Sequence, residues 1–177
     1  MEAKVDLRYP IGKFEFAGTT SNKERQSLID QIAATPEKMR AAVTGLDDEQ
    51  LNKPYRPEGW TVRQVVHHVP ESHMNSYIRF KLAMTEEQPT IKTYFEDRWA
   101  QLDDAQQAPV DLSLNLLDTL HERWVWFLRS LKEEDFQRCF RHPELGAVSV
   151  DKNIALYAWH GRHHVAHITS LRERMGW

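Results

Sequence analysis

Apolar side chains recur along this chain at helical spacing, and only one short stretch alternates. Following Ser21, the positions Leu28, Ile32, Met39, Val43 and Leu46 fall on one face of a helix, and Ser21 with Glu24 makes a capping-box pattern at its start. Thr35-Pro36 interrupts this run, either as a fresh N-cap and first helical residue or as a kink, and Gly45 stops it. A turn over residues 47–52 and a loop over 54–59 follow. Thr61 with Gln64 then forms a second capping box and opens a helix to about residue 84, with Val62, Val65, Val66, Val69, Tyr77 and Phe80 as its apolar positions and Pro70 inside it. The third helix opens at Asp111 and carries the clearest stripe in the chain: Leu114, Leu117, His121, Trp124, Leu128 and Leu131. A fourth, with Asp151 as its cap, runs to Gly176 through Ile154, Tyr157, Ile168, Leu171 and Met175, with Arg172 and Arg174 suited to the dipole at its C-terminal end.

Four amphipathic helices predict an all-α protein, a helical bundle. Residues 85–111 form a long connection with Pro89, Pro109 and a short helix over 96–102, long enough to cross the bundle, so the second and third helices need not be antiparallel. Pro143 and Gly146 between alternating flanks predict a small β-hairpin before the fourth helix. Ahead of the first helix, residues 1–20 read either as an arm whose Tyr9, Phe14 and Phe16 would dock on its own body or a partner's, or as a partly ordered tail.

At 177 residues the chain fits one domain with a real core. The net charge of −3 comes without a basic patch, which argues against nucleic acid. No apolar run approaches the ~20 residues of a membrane span, and the N-terminus lacks a signal-peptide core. Cys139 stands alone, so no internal disulfide forms, which suits a reducing cytoplasm.

The candidate chemistry lies in the histidines. Of nine, four fall between His160 and His167, on a helix stripe that should be apolar. His160 and His164 are one turn apart, so both imidazoles face one way, and His167 continues the same stripe. His163 is turned by about 100° and should point elsewhere. Two imidazoles can share one divalent ion, and a third ligand would come from His67 or His68 on the second helix, since both cannot easily face the same point. Neutral imidazole suits Zn²⁺, Ni²⁺ or Cu²⁺. Three such ligands leave a position open, where a bound water would have its pKa lowered towards ~7. His121, inside an apolar stripe, reads either as a core residue bonded to a neighbour or as part of the function.

The stretch from Trp60 to His68 followed by Trp159-His160, His164 and His167 resembles the DinB superfamily, and most closely its YfiT-like branch of candidate metal-dependent hydrolases. The segments around Tyr9-Pro10-Ile11-Gly12, Ser72–Lys81 and Arg174–Trp177 are similar to that branch as well. The resemblance implies a four-helix bundle of up-down-down-up type, usually a homodimer, with one divalent metal, Zn²⁺ or Ni²⁺, on three His. It selects His68, eight positions after Trp60, over His67, and places the other two ligands on His160 and His164. Where the wider superfamily often has Gln, this chain has His167, which leaves its role open between a supporting partner and a fourth ligand.

Three functions compete. A hydrolase would activate water on the metal against a small-molecule substrate, with Glu71, Glu96 or Asp97 as candidate bases. A thiol S-transferase of the bacillithiol or glutathione type would hold a low-molecular-weight thiol as thiolate; it needs no protein nucleophile, and Cys139 reads as a packing residue. A non-enzymatic stress protein would use the metal to stabilise the bundle. A thiol requirement for turnover separates the first two; a closed fourth coordination position would favour the third.

Overall fold

In the computed structural model, which describes residues 6–18 and 20–177, the four predicted helices form a bundle with one small hairpin. The first bundle helix comes in two pieces, α1 (Asn22–Ala33) and α2 (Thr35–Val43), and α3 (Asp48–Leu51) follows. Next is α4 (Val62–Thr85), then two short helices in the long connection, α5 (Glu96–Trp99) and α6 (Asp103–Gln107), and then α7 (Val110–Arg129). Strands β1 (Cys139–His142) and β2 (Gly146–Ser149) pair antiparallel, and α8 (Val150–Met175) completes the bundle.

Both expected capping boxes form. The Ser21 hydroxyl accepts the Glu24 N–H and the Thr61 hydroxyl accepts the Gln64 N–H, each with the reciprocal side-chain bond. The start of the fourth helix differs from expectation. Ser149, in extended conformation, is the cap and accepts the Lys152 N–H at 3.1 Å. Asp151 is already helical and turns inward, accepting from Arg25 Nε at 2.8 Å and from the Thr20 N–H at 3.0 Å. The break in the first helix falls at Ala34, so Thr35 is the first helical residue of α2, and its hydroxyl donates to the Gln31 carbonyl at 3.0 Å. Pro36 sits in that first turn, where it has no N–H to offer the carbonyl of Ile32. Pro70 is buried inside α4, which continues through it.

The core has two apolar clusters. One joins Ile29 and Ile32 of α1, Phe80 of α4, Trp124 and Leu128 of α7, and Ile154 and Tyr157 of α8. The other joins Met39 of α2, Val62, Val65 and Val69 of α4, Leu114 and Leu117 of α7, and Ile168 and Leu171 of α8. The order in which each helix visits them sets its direction. The α1–α2 pair and α8 run from the first cluster to the second, while α4 and α7 run from the second to the first, which is up-down-down-up. The long connection that carries α5 and α6 makes the parallel α4–α7 pair possible. Between the clusters every bundle helix contributes polar side chains: Thr35, Ser72, His73, His121, His160 and His164. Gly161 lets α8 approach the α1–α2 junction there, since a Cβ on it would meet the Thr35 hydroxyl at 2.5 Å.

Candidate functional site

His68 lies in the second turn of α4, and His160 and His164 lie one turn apart on α8. One ring nitrogen from each falls within 4.8 Å of the other two. Helical spacing accounts for the α8 pair, whose ring centroids are 4.4 Å apart. The packing of α4 against α8 brings in the third, with His68 4.9 Å from His164 and 5.4 Å from His160. Trp60, just ahead of α4, packs its ring 4.7 Å from His68.

Electrostatics keep these rings neutral. Burial first, and neighbouring imidazoles second, hold His68 down to about 3 and His160 and His164 well below the usual histidine range. Each therefore offers a lone pair at neutral pH. His164 Nδ1 is buried and has no hydrogen-bond partner among the described residues. His160 instead meets His73, with Nδ1 3.0 Å from His73 Nε2. His73 Nδ1 is 2.7 Å from His121 Nε2, and His121 Nδ1 is 2.7 Å from the Ile32 carbonyl.

The alternatives that the sequence left open separate here. His67 faces away from the trio: its Nδ1 is 2.7 Å from the Ser113 hydroxyl and its Nε2 donates to the Ala108 carbonyl at 3.1 Å. It ties α4 to the crossing segment. His163 stands outside the trio, stacked on Trp159 at 4.3 Å, yet lines the same cavity. His167 also lines it; its Nε2 donates to the Arg8 carbonyl at 3.1 Å and its ring stacks on Tyr55 at 3.9 Å. The described part of the arm does dock on the bundle. Trp159 Nε1 donates to the Gly12 carbonyl at 3.3 Å, and Tyr9 lies 6.0 Å from His163. Residues 1–5 and 19 of the expected arm lie outside the described residues.

A cavity of about 390 Å³ opens over the three imidazoles, walled by Tyr9, Tyr55, Trp60 and Trp159, with Arg8 and Arg56 beside it. A second, of about 490 Å³, adjoins it and is lined by Ser72, Arg79, Tyr94 and His142. His160, Glu96 and Asp97 line both. Partial desolvation, and then Asp97, push the Glu96 carboxyl up. Glu71 is pushed up further, to about 7, by burial and then by Asp104, but it lines neither cavity. Cys139 is on β1, bonded to the Gln137 carbonyl and away from the site.

His73 is the member of this layer that sequence reasoning passed over. Its signal was the one that singled out His121: a histidine on an apolar stripe, one turn after Val69 and two turns before Phe80.

Residues 31–168 match the model of the DinB superfamily. Relatives from Bacillus mycoides (strain KBAB4) and Bacillus cereus (strain B4264), each named a candidate metal-dependent hydrolase, are 57% and 55% identical over 172 residues. Both alignments cover 97% of this chain and 99% of the relative. Among solved structures, YfiT from Bacillus subtilis, described as a probable metal-dependent hydrolase with an unusual four-helix bundle topology, superposes with a TM-score of 0.95 and 46% identity. That match spans 97% of this chain and 98% of the other. TT2238, a four-helix bundle protein, superposes over 80% of this chain and 94% of its own with a TM-score of 0.55; at 18% identity this is a likeness of fold alone.

Proposed function

The chain belongs to the DinB superfamily, and we propose that it is a metal-dependent hydrolase whose His68, His160 and His164 hold one divalent ion. The observation that carries the proposal is the convergence of three neutral imidazoles, two of them buried, on a cavity open to solvent. Three neutral imidazole nitrogens within 4.8 Å of one another form a donor set that one ion can share. The donor set suits Zn²⁺ first and Ni²⁺ second. When bound, such an ion would supply Lewis acidity and lower the pKa of a coordinated water towards ~7.

The chain's own residues provide the rest. Glu96 is our choice of general base: it lines both cavities, as His160 does, and its raised pKa brings it closer to the working range of a proton acceptor. Glu71 has the higher pKa but no access to the cavities. The aromatic wall of Tyr9, Trp60 and Trp159 would hold the apolar part of a small substrate and exclude bulk water around it. His167 keeps the arm over this wall through the Arg8 carbonyl, a supporting role that fits its place outside the three converging histidines.

The test combines metal content per chain with ester and amide cleavage, measured with and without added thiols. About one ion per chain and cleavage independent of thiol are expected. Glu96→Gln should keep the ion and lower kcat by about 10²–10⁴-fold, the usual range for general base catalysis. Turnover that requires a thiol would replace hydrolysis with S-transfer, and cleavage unaffected by Glu96→Gln would remove the base assignment.

A further inference from the structure

We propose that His73 and His121 are positioning residues: together with the Ile32 carbonyl they lock His160 in the tautomer that leaves its Nε2 free as a ligand atom. The inference rests on the metal-binding proposal above. It follows from the direction of three hydrogen bonds.

A carbonyl oxygen only accepts. His121 Nδ1, 2.7 Å from the Ile32 oxygen, must therefore carry a proton. In a neutral ring the other nitrogen is then a lone pair, so His121 Nε2 accepts from His73 Nδ1 across 2.7 Å. By the same rule His73 Nε2 is a lone pair and accepts from His160 Nδ1 across 3.0 Å. The sequence of donors ends with His160 protonated at Nδ1 and bare at Nε2. Ser72 approaches that Nε2 only to 3.5 Å, at the outer limit of a hydrogen bond. Reversing the chain would set a lone pair on His121 Nδ1 against the Ile32 oxygen, so the carbonyl decides the direction. His73 and His121 are fully enclosed by the bundle, and burial disfavours the charged form of a ring, as the scheme needs. The series ends on a carbonyl, which cannot take up a proton. It is thus a lock on tautomer and ring orientation, with no route for protons out of the site.

The backbone explains why that carbonyl is available. In a continuous helix Ile32 would accept from the N–H four residues later, but that residue is Pro36, which has none. The neighbouring Ala34 N–H is directed chiefly at the Asp30 carbonyl, at 3.0 Å, and only secondarily at Ile32. His121 supplies the missing donor from α7. A proline in the first bundle helix is in this way coupled to a ligand atom on the fourth, through α7 and α4.

Partners that orient a ligand imidazole commonly change metal affinity 10–100-fold when removed. Two measurements test the assignment. Side-chain ¹⁵N NMR of the metal-free wild type reads the tautomers directly: His121, His73 and His160 should all be protonated at Nδ1, and an Nε2–H form at any of them overturns the lock. Zn²⁺ affinity, by competition with a chromophoric chelator, is then compared for His121→Phe and His121→Gln, with helix content checked by circular dichroism. The Phe variant should lose about 10–100-fold, and the Gln variant, whose amide oxygen can accept from His73, should stay close to wild type. Equal loss in both, or no loss in Phe, overturns the proposal; if the Phe variant does not fold, the tautomers decide. Failure of the wild type to bind Zn²⁺ would sink the metal-binding proposal, whereas full Zn²⁺ affinity in a folded His121→Phe variant would sink this one alone.

Discussion

Two buried polar clusters in this bundle are built in opposite ways. At one end Arg25 of α1 meets Asp151 of α8 at 2.8 Å, with both side chains almost fully buried. Arg25 also reaches Glu133 at 2.9 Å and the Thr20 carbonyl at 3.0 Å, and Asp151 takes the Thr20 N–H. The buried Arg25–Asp151 pair is neutral as a whole, and the exposed carboxylate of Glu133 completes the bonds of the guanidinium from the solvent side. The histidine layer is neutral and closed on one side only, through His73, His121 and Ile32. On the other side, His68, His160 and His164 turn ring nitrogens towards one another and towards a cavity. A buried polar cluster is therefore no sign of function in itself. The sign is convergence of acceptors that the chain does not satisfy.

The contrast can be broken from either side. The largest effect should come from His68→Ala, His160→Ala or His164→Ala, each of which should reduce bound metal from about one ion per chain to none by elemental analysis while helix content is kept. In the wild type, saturating an ion at about 100 times its Kd would add about 2.7 kcal/mol to stability, and these variants should not show that gain. Asp151→Ala should do the reverse. It removes the buried partner of Arg25, leaving Glu133 and the Thr20 carbonyl, and should cost about 1.5–3 kcal/mol in chemical denaturation, with metal content unchanged.

Gly161→Ala probes the seam between α8 and the α1–α2 junction. Its Cβ would press on Thr35, so about 1–3 kcal/mol of overpacking cost is expected, together with weaker metal binding, because His160 is the adjacent residue.

Acidification of the metal-free protein sharpens the comparison most gently. His68 is held down to about 3 and His121, His163 and His167 to about 4. These values lie below the ~6.5 of an unfolded histidine, so the unfolded chain takes up protons first as pH falls. Stability should be full above about pH 6.5 and decline between there and about 4, by about 1.4 kcal/mol per pH unit for each proton taken up on unfolding. Glu71, raised to about 7, acts in the opposite sense: its contribution is present at low pH and is lost as pH rises through 7. Several histidines outweigh one carboxyl, so a denaturation series should show a net acid loss. A flat profile from pH 7 to 4 would mean that the rings are not buried neutral.

The legible parts of this protein were those governed by local rules. Capping boxes at Ser21 and Thr61 and the stripe Leu114, Leu117, His121, Trp124, Leu128 depend on residues three or four apart, and so does the pairing of His160 with His164. Family resemblance added His68 and the helix order. The misplacement of a helix cap at Asp151 shows where local rules stop. Ser149 and Asp151 are both acceptable caps, and the choice was made by Arg25, more than a hundred residues away. The same holds for Glu71, Glu96 and Asp97, which are equivalent as solvated carboxylates until the crossing segment seats two of them on the cavities.

By itself, then, the sequence determined which segments are helical, which faces are buried and which histidines share a turn, because those follow from periodicity and short-range bonding. Tertiary structure alone decided the rest. It chose where His67 and His163 point, joined His73 to His121 and the Ile32 carbonyl, and placed Glu96 on the cavities that His160 also lines. These depend on segments far apart in the chain, where side-chain direction and cavity lining follow from how the segments pack.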